Sequence, residues 1–229
     1  CCGAAAEDVG TKLSDIHLRD PFILPMPEES TYYLFGTIAH LPPKPGFDVF
    51  TSKDLKTWST PSKAFRPDPG FWADRDFWAP EVHKYKGRYY MFASFKAEGK
   101  CRGAQILVSD TPSGPYGVHS NGPVTPRDWE CLDGTLFIDE ADQPWIVFCH
   151  EWVQIEDGTI CAQRLTAELD AATGEPLTLF KASDAAWIRD FLPDRKGYVT
   201  DGPFLHRAAS GRLFMLWSSF SEKGYVQAV

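Results

Sequence analysis

Four acidic residues recur at wide and similar intervals: Asp20, Glu81, Asp133 and Asp201, spaced 61, 52 and 68 residues apart. Each stands beside Pro or Gly, in "RDPFI", "APEVH", "LDGTLF" and "TDGPF", just before a short apolar run. An acid beside Pro or Gly is common in turns, so none of them signals chemistry alone. Four brought into one pocket would be different. Crowded, partly desolvated carboxyl groups are costly, and they shift one another's proton affinity, which is the property acid–base chemistry uses. A further acid, Glu151 in "CHEW", closes the second apolar run of the third stretch.

The elements that must bring these acids together read as β-hairpins. Each acid opens a stretch of one plan: apolar strand, polar turn, second apolar strand. The stretches cover 20–37, 79–94, 133–151 and 201–219, and their strands are rich in Phe, Tyr, Val, Ile, Leu and Trp. Further strand-like segments follow at 47–52 ("FDVFTS"), 103–110 ("GAQILVSD") and 159–166 ("TICAQRLT"). Helical periodicity is weak, and only 165–171 and 183–191 could hold a helical turn or two. Three or more strands repeating about every 60 residues predict an all-β propeller. Stacked blades bury faces that one blade alone leaves open, and every innermost strand starts at the same end of the channel. That geometry would gather the four acids at one mouth, with Glu151 at its rim.

Composition narrows the partner. The 229 residues are 43% hydrophobic and 14% aromatic, enough for a sizeable core, and carry a formal net charge of −8 without a Lys/Arg run. Nucleic acid is therefore excluded as a partner, because phosphate binding needs clustered positive charge. No apolar run approaches a transmembrane length of about 20 residues. Eight Trp and eight Tyr suit a neutral sugar, although most of them belong to a core. Among the six cysteines no CxxC pair occurs, which argues against zinc. Cys101, Cys131, Cys149 and Cys161 read equally as one or two disulfides or as buried thiols.

The same motifs, in order, resemble glycoside hydrolase family 43, whose members are five-bladed β-propellers. "RDPFI" is similar to the first-blade motif, "FWAPEVHKYKGRYYMF" to the second, "LDGTLFIDEADQPWIVF" to the third and "TDGPFLHRAASGRLFMLWS" to the fourth. The resemblance covers nearly the whole chain. It implies that Asp20 is a general base, and that Asp133 tunes and orients a general acid. That acid is Asp201 or Glu151. The family usually has Glu-Gly-Pro where this chain has Asp-Gly-Pro, so Asp201 is one methylene shorter, and Glu151 stands as its equal. Inverting members of such enzymes hold base and acid about 6.5–9.5 Å apart. Arg19, Trp72, Trp78, Glu81 and His83 are the candidates for substrate contact: Trp72 and Trp78 by stacking on a sugar face, Arg19 through a hydroxyl, His83 by facing the channel. Each has a plainer reading as a structural residue.

The chemistry requires no cofactor. Family members often hold a cation in the channel, which admits calcium there. The implied substrate is an arabinose-, xylose- or galactose-containing glycan, with an exo-acting α-L-arabinofuranosidase first and a β-xylosidase next. Two other readings compete: a carbohydrate-binding propeller without catalysis, and a retaining fructan or sucrose hydrolase of the related five-bladed group, whose motifs "RDP" and "WEC" resemble but whose order differs. Residues 1–15 are expected to form an N-terminal segment and 16–229 the propeller. About four blades are accounted for, so the chain is expected to be a fragment short of most or all of the fifth blade. A secreted, periplasmic or cell-surface location follows, and the "CC" start admits a lipoprotein.

Overall fold

The computed structural model describes residues 10–38, 45–192 and 196–229. The Cys1–Cys2 start lies outside them. The strands form four blades in chain order. Blade 1 holds β1 (Thr11–Lys12), β2 (Leu18–Met26), β3 (Thr31–Ile38), β4 (Phe47–Ser52), β5 (Thr57–Trp58) and β6 (Ser62–Phe65). Blade 2 holds β7 (Arg75–Tyr85), β8 (Arg88–Lys96), β9 (Gly103–Ser109) and β10 (Gly117–Val118). Blade 3 holds β11 (Cys131–Ile138), β12 (Pro144–His150), β13 (Thr159–Leu165) and β14 (Ala172–Lys181), and blade 4 holds β15 (Asp201–Arg207), β16 (Leu213–Ser221) and β17 (Gly224–Ala228). Neighbouring strands pair antiparallel throughout.

Blade-to-blade burial explains the sequence pattern. A strand with water on one face alternates, whereas β8, "RYYMFASFK", is buried at every position from Tyr89 to Phe95 because blades cover both its faces. Blades 1 and 2 share a core of Phe35, Phe47, Phe65, Val82, Met91 and Phe95. Within it Phe77 meets Phe95 edge to face, with ring centroids 5.0 Å apart. Removing the fully buried Phe95 ring would cost about 3–5 kcal/mol. Blades 2 and 3 bury Phe92, Ile106, Ile146 and Phe148 between them, and blades 3 and 4 pack Leu132, Val147 and Ile160 against Leu205 and Met215. Blade 1 meets blade 4 at the axis, where the Phe22 and Phe204 rings stand 6.3 Å apart.

The structure refines three readings. Of the segment before residue 16, the described Thr11 and Lys12 form β1 and pair with β5 of blade 1 through Thr11–Trp58 and Lys12–Thr57. The four inner cysteines are free thiols, three of them buried. Residues 166–170 form a turn, whereas the one α-helical turn of the described residues is α1 (Trp152–Ile155), joining β12 to β13. Among the described residues no helix is long and apolar enough to cross a membrane.

Candidate active site

The innermost strands β2, β7, β11 and β15 all carry a bulge near their start. Two residues oppose one on the partner strand: Asp20–Pro21, Ala79–Pro80, Asp133–Gly134 and Gly202–Pro203. The first residue of each bulge has positive φ, 49° at Asp20, 44° at Ala79, 55° at Asp133 and 53° at Gly202. Bulges of this kind re-aim side chains and sharpen the local twist. Asp and Gly tolerate left-handed backbone better than most residues do. Asp20 and Asp133 therefore occupy equivalent bulge positions. Glu81 and Asp201 do not: Glu81 lies two residues beyond its bulge residue, and Asp201 lies one before. The four-fold equivalence expected from sequence corrects to two bulge acids and two offset ones, because the motifs share composition but not register.

A relay of contacts joins the bulges. Thr37, Ser94, Cys149 and Ser218 occupy the same register position on the second strands, opposite Arg19, Trp78, Leu132 and Asp201. Thr37 Oγ1 donates to Asp20 (3.0 Å) and accepts the Ala79 N–H of the next blade (2.8 Å). Ser94 Oγ likewise accepts the Asp133 N–H (3.0 Å). At Cys149 the hydroxyl is replaced by a thiol, and the Gly202 N–H of the next blade turns instead to Asp133 Oδ2 (2.8 Å). Asp201 in turn accepts the Tyr225 O–H (2.8 Å). No Lys or Arg hydrogen-bonds Asp20, Asp133 or Asp201 among the described residues.

These acids perturb one another. Burial pushes Asp133 well above the usual carboxylate range; the Asp201 and Asp20 charges add to this, and the Gly202 N–H opposes it. Burial raises Asp201 to about 6; the Tyr225 hydrogen bond opposes the rise and the Asp20 charge supports it. Asp133 and Asp201 thus titrate as an interacting pair, both raised above the usual carboxylate range.

Glu151 sits differently. It is buried and ion-paired to Arg102, which also binds Asp76 (2.8 Å) and lays its guanidinium 4.3 Å from the centroid of Trp78. Burial raises the Glu151 carboxyl, and the Arg102 charge opposes the rise. Nearby Glu130 is bound by Lys96 through both oxygens (2.8 and 2.9 Å) and by the Arg102 N–H (2.8 Å). Burial works against its charge, yet those bonds hold it below the usual range.

The remaining candidates divide. Arg19 is exposed beside Asp20 and acts electrostatically on Asp201. His83 lies at the axis, 5.6 Å from the Phe22 ring, with Glu81 at 3.3 Å and the Thr135 hydroxyl at 3.5 Å. Trp72 lies in a separate cavity, its indole N–H donating to Gln105 (2.5 Å). Glu81, His83 and Thr135 offer one carboxylate, one imidazole and one hydroxyl, so that water would supply most of the six to eight ligands calcium takes. Among the described residues no three His, Cys, Asp or Glu group to hold a metal ion. Arg102 was missed by sequence reasoning; a lone Arg between a turn and a strand carries no local signal.

The family described as glycosyl hydrolases family 43 matches residues 14–228. An extracellular exo-α-(1→5)-L-arabinofuranosidase of Cellvibrio japonicus (strain Ueda107) is 32% identical over 159 residues, 62% of this chain and 43% of that protein. An extracellular endo-α-(1→5)-L-arabinanase of Bacillus subtilis (strain 168) is 27% identical over 163 residues, 67% of this chain and 49% of that protein. The match thus spans under half the length of either curated relative. The solved endo-arabinase from Bacteroides thetaiotaomicron VPI-5482 superposes with a TM-score of 0.88 at 44% identity, covering 96% of this chain and 77% of that one.

Proposed function

The chain belongs to glycosyl hydrolases family 43, and from that premise we propose that it hydrolyses α-L-arabinofuranosyl linkages of an arabinan-type glycan with inversion. One observation carries the reading. Asp20, Asp133 and Asp201, from three blades, act on one another's charge with no hydrogen bond from Lys or Arg among the described residues.

The roles follow from their surroundings. Asp20 is the exposed one, held by the Thr37 hydroxyl; it accepts the proton of the attacking water. Asp201, raised to about 6, keeps a proton in mildly acidic solution and gives it to the leaving oxygen. Asp133 braces the bulge of blade 4 through the Gly202 N–H, and the Asp20 charge opposes ionisation of Asp201. Glu151 is the weaker acid candidate, because its carboxylate is committed to Arg102. Trp78, stacked on Arg102, and Arg19 shape the sugar site. The chemistry proposed needs no cofactor. The names of both curated relatives support the arabinose preference and a location outside the cytoplasm.

The test is linear arabinan alongside nitrophenyl α-L-arabinofuranoside and β-D-xyloside, with product anomers followed by NMR. The β-anomer of arabinose should appear first, and product lengths separate exo from endo action. First appearance of the α-anomer, or release from the xyloside alone, would overturn the proposal. Sugar binding without hydrolysis would favour the non-catalytic propeller.

A further inference from the structure

A cavity of about 710 Å³ opens in blade 2, between the loops 68–72, 99–103 and 118–127. Asp20, Asp133 and Asp201 take no part in its lining. Its size falls among pockets that hold small ligands, commonly about 300–1,000 Å³. Trp72 is half-buried in its wall, with the indole N–H already satisfied by Gln105, so that the ring is what remains for a ligand. Lys100 reaches over that ring, its ammonium 5.8 Å from the centroid.

The charge of the wall runs against that of the protein. The chain carries −8, yet Lys100, Arg102 and Arg127 line the cavity against one acid, Asp68. Arg102 is neutralised by Glu151 and Asp76. Neither Lys100 nor Arg127 forms an ion pair among the described residues; Arg127 donates to the Asn121 carbonyl (2.8 Å). In addition Arg102, 8% exposed, has an Nε–H without a hydrogen-bond partner. A buried donor left unpaired costs free energy that an acceptor within reach would offset. An aromatic face beside two uncompensated cations matches a ligand with an apolar ring face and a carboxylate on its rim.

We propose that this cavity is a second glycan site, distinct from the carboxylate pocket, that takes an acidic sugar: a uronate whose ring packs on Trp72 and whose carboxylate meets Lys100 and Arg127. The choice of a sugar as ligand rests on the glycan-hydrolase reading above; the choice of an acidic one rests on the cavity's own charge.

Cys101 is a reporter built into the wall, a free and partly exposed thiol. Its alkylation, followed by mass spectrometry of the peptide that carries it, measures occupancy without any turnover. The probe is tri-galacturonate, and the control is the same trisaccharide with its carboxyl groups reduced to alcohols. At about ten times its dissociation constant, tri-galacturonate should slow alkylation of Cys101 about tenfold by occupancy alone. The protection should weaken as salt is added, since exposed charges are screened. The double variant Lys100→Gln, Arg127→Gln changes two exposed side chains, and should lower the affinity at least about tenfold. It should hydrolyse linear arabinan as the unaltered protein does. Equal protection by the neutral trisaccharide would overturn the acidic preference, and no protection by either would overturn the site. Loss of arabinan hydrolysis in the double variant would overturn its separation from the carboxylate pocket. Failure of the hydrolytic reading itself would show as an inactive unaltered protein, whatever Cys101 reports.

Discussion

Two clusters of acids lie close together in this protein and are treated in opposite ways. Glu130, Asp76 and Glu151 are tied to Lys96 and Arg102. Among the described residues, Asp20, Asp133 and Asp201 have hydroxyl and amide donors, from Thr37, Gly202 and Tyr225, and none from Lys or Arg. Carboxyl groups therefore end with different proton affinities: Lys96 and the Arg102 N–H hold Glu130 below its ordinary range, burial lifts Glu151 above its own against the pull of Arg102, and Asp133 and Asp201 are pushed up with no bond from Lys or Arg to oppose it. The contrast teaches where to look for chemistry. Paired acids hold loops together, whereas acids left without a cation trade stability for a proton that can be moved.

The comparison breaks most sharply at Asp20. Asp20→Asn keeps a residue tolerant of left-handed backbone and an oxygen for Thr37, yet cannot take a proton from water. It should lower kcat/KM on arabinan by about 10³-fold with little change in Tm. Turnover near the unaltered level would show that the unpaired cluster is not a working site.

Arg102→Met tests the other cluster. It strands the buried Glu151 and half-buried Asp76 charges, and should destabilise the fold by about 3–5 kcal/mol in urea titration. Adding Glu151→Gln and Asp76→Asn should restore most of it. A loss under about 1 kcal/mol would place this pair among exposed ones that hold nothing.

Asp201→Asn should do the reverse and stabilise. The raised carboxyl binds a proton more tightly in the folded chain than in the unfolded one, so wild-type stability is lost as pH rises from about 4 through about 6. The variant's advantage should be near zero below pH 4 and reach about 3 kcal/mol above pH 7. Its activity should fall far more on arabinan than on an aryl glycoside with a good leaving group, which needs little protonation. If Glu151→Gln shows that substrate contrast and Asp201→Asn does not, the acid has been misassigned.

The smallest effect is expected at Asp133. Burial and the Asp201 charge both push its carboxyl up, so Asp201 ionises ahead of it. Asp133→Asn should therefore leave the alkaline limb of the kcat/KM profile, near pH 6, almost unmoved. A limb moved down by about one unit would mean that Asp133 carries a like charge there.

The blade order, the inner strands and the gathering of Asp20, Asp133 and Asp201 were legible because each rests on a local pattern: an acid, a turn-former and an apolar run repeating along the chain. Register was not legible. "APEV" and "TDGP" resemble "RDPF" as strings, but a bulge can begin one or two residues either way, and strand pairing alone fixes where. The Arg102–Glu151 pair joins residues 49 apart, from a turn in blade 2 and the end of a strand in blade 3. Such long-range electrostatic pairing leaves no periodic trace. Trp72 was a fair sugar candidate by type, but its place depended on the fold of three loops. The exchange of a hydroxyl for a thiol at Cys149, which frees the Gly202 N–H for Asp133, shows only once Thr37, Ser94 and Cys149 are seen in one register.

The left-handed bulges have a consequence for how such a protein changes over generations. Asp20 and Asp133 stand where the backbone accepts Asp, Asn or Gly at little cost, and Gly202 already fills the equivalent place in blade 4. In the genetic code a single-base change converts an Asp codon into Asn or into Gly. The proton-handling groups are thus one nucleotide from residues the fold tolerates equally well. If these acids carry the proposed hydrolysis, a lineage can lose it at these two codons without losing the propeller, and what remains is a stable fold open to selection for binding alone.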